Sequence, residues 1–249
     1  LNNICIELFT SFQQLVSKAL NGTLNPPPRL QTASDAKVRE KIKGSKWSKR
    51  LDNRRGLWYG AYSLLAASPN DALIFLNKSL SSMLTEKPKD YMWLGAVHEA
   101  VASTLYLISL DNANINDDEN DEFPGIMPES GYKKNLKVQL NENIVKHYNK
   151  AIVCYTNAGG GSDGGSQKNG VIEIEVSCRL SLAKYCISIQ ERSLISLAAT
   201  TLNEIFNCKR YLQLTNCLTY ESLGQLSLHV GCIYESMGMK RKFAFHLHR

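Results

Sequence analysis

One stretch constrains the rest of this chain more than any other: residues 87–110, KPKDYMWLGAVHEAVASTLYLISL. Pro88 sets its start, Asp90 adds a negative charge to its first turn, and Leu110-Asp-Asn ends it. Trp93, Val97, Val101, Leu105 and Ile108 recur at helical spacing, and a second apolar row runs Leu94, Ala100, Tyr106, Leu107. Apolar residues on more than one face imply a helix with neighbours on both sides. Gly95, without a side chain, lets one of those neighbours come close. The chain is therefore expected to be all-α, with its other helices stacked around this one.

The flanking sequence fits that expectation. Residues 4–20 form an amphipathic pattern with Ile4, Leu8, Phe12, Leu15 and Ala19 on one stripe, ended by Asn21-Gly22. Pro26-Pro27-Pro28 is a stiff extended connector. A basic helical pattern begins at Ser34, breaks at Gly44-Ser45, and resumes over 46–67 with Trp47, Leu51, Trp58, Tyr62 and Leu65. Ser68-Pro69-Asn70-Asp71 is a helix start, with a capping serine, proline in the first turn and a carboxylate three residues on. Leu73, Leu76, Leu80 and Met83 continue the helix it opens, so 46–85 reads as an antiparallel hairpin.

Beyond the central helix, residues 111–135 are polar and acidic and read as a loop insertion. Its partner helix is expected at 140–157, with Ile144, Tyr148, Ile152 and Tyr155 on one side. Residues 158–170, AGGGSDGGSQKNG, have the composition of a flexible linker. Residues 171–176 alternate apolar and acidic like a strand, but Leu180, Ala183 and Ile187 extend the segment at helical spacing, so it is read as helix. Its partner is expected at 193–206. A last hairpin begins near Thr219 and resumes at Lys240. The domain reading is a helix and Pro-rich linker of a preceding module at 1–35, then a helical array over 36–249 with insertions at 111–135 and 158–170. Leu1 and the helical pattern running to Arg249 make this stretch read as part of a longer chain.

Composition narrows the chemistry. Seven scattered cysteines, an odd count with no C-x-x-C pair, point to reduced thiols in a cytosolic protein. Asn21 and Asn77 fit glycosylation patterns that are not expected to be used in that compartment. No apolar run is expected to span a membrane, because even the central helix carries His98 and Glu99. The glycine-rich stretch lacks the G-x-x-x-x-G-K-[ST] order of a phosphate loop. The five histidines have no carboxylate or cysteine placed to complete a metal set, and Glu173 and Glu175 are two apart, on different faces of a helix. No catalytic residue, cofactor site or metal site is therefore assigned. Net charge is +6, with nine Lys/Arg packed into residues 37–55 and an acidic run, DDENDE, at 117–122. Lys46, Lys49, Arg50 and Arg54 are three or four apart and are expected to present a basic face to an acidic protein surface, anionic lipid or nucleic-acid phosphates, with the acidic protein first because no nucleic-acid module accompanies them.

Tyr91-x-x-Leu94-Gly95-x-x-His98 resembles the W-x-x-L-G-x-x-Y pattern of tetratricopeptide repeats, and Gly60 precedes Gly95 by one repeat period. Gly231-x-x-Tyr234-x-x-x-Gly238 has the same spacing. This resemblance implies a tetratricopeptide-like α-solenoid in which Gly60, Ala72, Trp93, Leu94, Gly95, Gly231 and Tyr234 pack one helix on the next. Two longer blocks are more specific. The first runs from Lys49-Arg50-Leu51 through Ala72-Leu-Ile-Phe-Leu-Asn to Tyr91-Met-Trp-Leu-Gly-Ala-Val-His-Glu-Ala100. The second is Ile144-Val-Lys-His-Tyr-Asn-Lys-Ala-Ile-Val-Cys-Tyr155 followed by Gly170-Val-Ile-Glu-Ile-Glu175. In order and spacing they resemble the helical-repeat region of the large TRAPP II subunit, the NIBP family, over roughly residues 45–249.

That resemblance implies a non-catalytic scaffold subunit of a vesicle-tethering complex that is also a Rab guanine-nucleotide exchange factor. Its expected partners are other TRAPP II subunits, a Rab GTPase indirectly or at the complex surface, and the Golgi membrane, at the trans-Golgi and early endosome. Nucleic acid is not among them. The glycine-rich and acidic insertions depart from the family pattern and fall in loops. The alternative reading is a stand-alone tetratricopeptide-type adaptor that binds short peptides.

Overall fold

The computed structural model describes residues 2–21, 44–87, 89–117, 130–159, 167–207 and 214–248. The Pro26–Pro28 connector, the basic pattern over 34–43, the acidic run at 118–122 and the glycines at 160–166 lie outside the described residues. The helices are α1 (Asn2–Leu20), α2 (Ser45–Leu65), α3 (Pro69–Thr85), α4 (Tyr91–Asp117), α5 (Ser130–Gly159), α6 (Gln167–Ser188), α7 (Arg192–Ile205), α8 (Tyr220–Ser236) and α9 (Lys240–Leu247). The fold is all-α, with no strand among the described residues.

Local sequence accounts for the ends of α2 and α3. The helix α2 stops where Ala67 turns left-handed, at φ 53°. The Ser68 N–H then reaches back to the Ser63 carbonyl at 2.8 Å, closing the turn into α3. Pro69 opens α3 as expected, but the Ser68 hydroxyl makes no bond to the helix backbone; it donates to the Asp71 carboxylate at 2.7 Å instead. At α8 the cap is conventional, with Thr219 Oγ1 accepting from the Ser222 N–H at 3.2 Å.

Two helices are longer than their composition suggests. The helix α4 runs to Asp117 and α5 begins at Ser130, so helix occupies both ends of the stretch read as a 111–135 insertion. Likewise α5 reaches Gly159 and α6 starts at Gln167, shortening the 158–170 linker from both sides. Polar residues such as Asn114 and Asn116 carry no apolar period but do not break a helix. Residues 171–176 are helical, as their continuation predicts.

Chain contacts divide the molecule into two compact units, residues 1–150 and 151–249, with the division inside α5. The boundary read near residue 35 lies outside the described residues. The helix α1 packs on α2 within the first unit, burying Val16 and half-burying Phe12 and Leu15, while Leu8 of the expected stripe is exposed.

In the first unit, α2 and α3 form an antiparallel hairpin, and α4 packs on α3 and touches α2. Close approach at two glycines makes the hairpin tight. A Cβ on Gly60 would lie 2.8 Å from Leu76 Cδ2, and one on Gly56 would lie 2.6 Å from Ser79 Cβ and 3.0 Å from the Phe75 carbonyl. Ala72, Leu76 and Met83 fill the hairpin, and Leu94, Gly95, Val97, Val101 and Ala102 bury the inner faces of α4. Residues Tyr91–Asp111 are long and apolar enough to cross a membrane by length and composition alone, with a mean hydropathy of 1.2, contrary to the expectation from sequence. Part of that apolar surface is buried: the helix lies against α3 and buries Leu94, Val97 and Val101 together with His98 and Thr104, while Leu107 and Leu110 are exposed.

In the second unit, α6 pairs with α7, α8 pairs with α9, and α8 also touches α6. Cys178, Leu182, Ala183 and Cys186 of α6 and Ala198, Leu202 and Ile205 of α7 are buried. A Cβ on Gly231 would lie 3.2 Å from His246 Cβ, so this glycine marks a close approach of α9 to α8. Tyr234 is fully buried and its hydroxyl donates to Asn203 Oδ1 at 2.7 Å, tying α8 to α7.

Candidate functional site

The residues expected to form one basic surface are split by the fold. Lys46 and Lys49 are exposed. Arg50 and Arg54 are buried, at 5% and 1% exposure, and this corrects the expectation that all four cations face a partner. Helical geometry gives the reason. At 100° per residue the four positions span an arc of roughly 140°, wide enough to cross from solvent into the core. Trp47 and Leu51 lie on the same side as the arginines and are themselves buried, so the hydrophobic stripe of α2 carries Arg50 and Arg54 inward.

What receives them is Asp90, 6% exposed, at the start of α4. Its Oδ2 accepts from Arg50 Nε at 3.1 Å and from Arg54 at Nε (2.9 Å) and Nη2 (2.8 Å). The Asp90 carbonyl also accepts the Leu94 N–H at 2.8 Å, so one residue starts α4 and anchors α2 to it. The guanidinium of Arg54 lies 4.9 Å from the Trp93 ring centroid, a cation–π contact that explains why Trp93 is only half-buried yet fixed. Beside this cluster Asn53 donates to Glu86, and Ser79 donates to the Asn53 carbonyl. The segment joining α3 to α4 is thus strapped to α2 by charge-assisted bonds. Arginine suits this place because its planar group carries several directed donors, whereas the more strongly hydrated ammonium groups of Lys46 and Lys49 stay in water.

The repeat-packing residues fall at helix contacts: Gly60 against Leu76, Ala72 and Leu94 buried, Gly95 buried, Gly231 against α9, and Tyr234 between α7 and α9. Sequence reasoning missed Gly56, one turn before Gly60, and missed Asp90 as the partner of both arginines. No local pattern marks Asp90 as that partner, since it lies thirty-six residues beyond Arg54.

Three further polar groupings stand apart from this cluster. His98 of α4 and His147 of α5 face each other with their Nδ1 atoms 3.1 Å apart, and one turn on Ser103 and Tyr148 share a hydrogen bond at 3.2 Å. Burial first, then His147 and Lys150, push His98 down to about 4. Burial, then Lys150 and Lys146, lower His147 as well. In the second unit Arg179 donates to buried Glu175 at 3.0 Å and also bonds Glu204 of α7. His246 stacks on Tyr234 with ring centroids 5.5 Å apart, and its Nδ1 meets Ser227 Oγ at 3.2 Å. Ser227 and His246 are both buried, and the Ser227 hydroxyl also donates to the His246 carbonyl at 3.2 Å, so the pair joins α8 to α9.

A cavity of about 290 Å³ opens beside α1, α2 and α3, lined by Ala19, Asn53, Gly56, Tyr59, Phe75 and Ser79 among others. Tyr59 and Phe75 form one wall with ring centroids 5.3 Å apart. Asp52 at its rim is bound to Arg55 at 2.9 Å. Among the described residues no group of three or more His, Cys, Asp and Glu is placed to hold a metal ion. Cys154, Cys178 and Cys186 are buried and in no disulfide, and burial pushes Cys186 up to about 12, far from a reactive thiolate. Comparison of the chain with protein-family models, curated proteins and solved structures finds no match.

Proposed function

We propose that this chain is a non-catalytic interaction scaffold, a tetratricopeptide-like α-solenoid segment of the large TRAPP II subunit. The observation that carries the reading is the character of the two family-like sequence blocks, each of which supplies buried helix-contact residues. The first contributes Leu51, Ala72, Leu76, Leu94, Gly95 and Val97; the second contributes Ile144, Tyr148, Ala151, Tyr155, Ile172 and Glu175. Buried residues recur through both blocks among exposed ones such as Ile74, Tyr91 and Val153, a pattern that supports a shared helical framework. In this role the chain holds other TRAPP II subunits at the Golgi, and a Rab GTPase meets it indirectly or at the complex surface. The exposed part of the basic helix, Lys46 and Lys49, is the partner-facing part.

Affinity purification of the full-length protein from its own cells, with mass spectrometry, tests the assignment. The expected result is recovery of the small TRAPP core subunits in fixed proportion. Recovery of the chain alone, or with chaperones only, overturns it. In that event the peptide-adaptor reading stands next. It rests on the same exposed lysines on the first helix of a hairpin, and titration with short acidic peptides tests it, with charge reversal at Lys49 expected to weaken binding.

A further inference from the structure

We propose that the His98–His147 contact is an acid-labile clasp that holds α5 on α4. The argument begins with hydrogen inventory. A neutral imidazole has one N–H and one lone pair, so two neutral rings can make an Nδ1–H···Nδ1 bond only when they carry opposite tautomers. The 3.1 Å separation of the two Nδ1 atoms is such a bond. A first proton, taken on Nε2 of the donor ring, leaves the bond intact. A second proton places N–H on both facing nitrogens. The bond then has no acceptor, and two cations meet in a largely buried seam.

The surrounding charges sharpen this response. On α5, Lys146 and Lys150 both act against protonation of the pair. On α4, Glu99 follows His98 but projects about 100° around the helix. The charged groups of α3, which packs on α4, include Asp71, engaged by Ser68, and the exposed Lys78. From α2, Arg50 and Arg54 are held at Asp90, two turns before His98. Two cationic lysines also make the pair a poor cation site, so the shared proton, and not a metal ion, is what joins the rings. Burial depresses both histidines below their ordinary value near 6.5. With the folded values lowered, the contact is intact at neutral pH, and its contribution to stability is lost as pH falls from about 6.5 through the lowered values.

Hydrogen exchange of the full chain between pH 7.5 and 3.5, corrected for intrinsic rates and read over residues 137–150, tests the clasp against the α2–α3 hairpin as internal reference. The wild type is expected to lose protection in α5 before the hairpin does, whereas H98Q/H147Q, which can still hydrogen-bond but cannot titrate, loses it no earlier than the hairpin. Equal acid release in both proteins, or none in the wild type, overturns the proposal. Imidazole chemical shifts of the wild type give a reading independent of how the variant folds. Titration of His98 and His147 well below 6.5 is expected, and titration of both at the ordinary value refutes the clasp.

Discussion

Two buried ionic clusters, one in each unit, are built on opposite stoichiometries. Among the described residues, the Asp90 carboxylate in the first unit is shared by two arginines, all three almost out of water. In the second a single arginine, Arg179, serves two carboxylates, and one of them, Glu204, is half exposed. The difference lies in what each cluster can do when broken. A stranded carboxylate can take a proton and become neutral, while a stranded guanidinium has no neutral form within reach. The Asp90 cluster is therefore the less forgiving of the two, and it sits where α2, the α3–α4 connection and the start of α4 converge.

Substitutions separate the clusters by size of effect. Asp90→Asn keeps the shape but removes the charge shared by Arg50 and Arg54, and is expected to cost about 3–5 kcal/mol in denaturant unfolding, the range for stripping the partner from buried ions. A loss below about 1 kcal/mol would show that the arginines find solvent or other partners without strain. Arg179→Met leaves Glu175 buried but able to neutralise, and is expected to cost about 2 kcal/mol. Equal losses for these two variants would erase the contrast. Gly56→Ala tests the tight hairpin beside the Asp90 cluster. Its new methyl meets Ser79 and the backbone of Phe75, so the helices must separate, with a loss of about 1–3 kcal/mol in the same assay. Glu204→Gln, at an exposed position, is expected to change stability by less than about 1 kcal/mol.

Much of the fold was legible because its signals are local. Ser68-Pro69 marks the start of α3, Thr219 caps α8, and the apolar rows of 87–110 announce a helix buried on more than one side. The extents of α4 and α5 were less legible, since polar residues end a hydrophobic pattern without ending a helix. The site was half legible. Lys46, Lys49, Arg50 and Arg54 share a helix face by spacing, but spacing does not say where the solvent boundary cuts that face. The buried neighbours Trp47 and Leu51 set it, and the counter-ion lies thirty-six residues beyond Arg54. Contacts such as Asp90 with two arginines, or His98 with His147, join residues with no local pattern in common, and appear only once α4 is placed against α2 and α5.

The central claim is that α2 carries two separable pairs of cations, an inner pair of arginines bound to Asp90 and an outer, exposed pair of lysines proposed to meet a partner. Co-purification with the full-length K46E/K49E variant, alongside its thermal unfolding, tests this most directly. The account predicts an unchanged melting temperature together with reduced recovery of the partner subunits proposed above. Undiminished recovery, or a melting temperature lowered as far as that of Asp90→Asn, would contradict it.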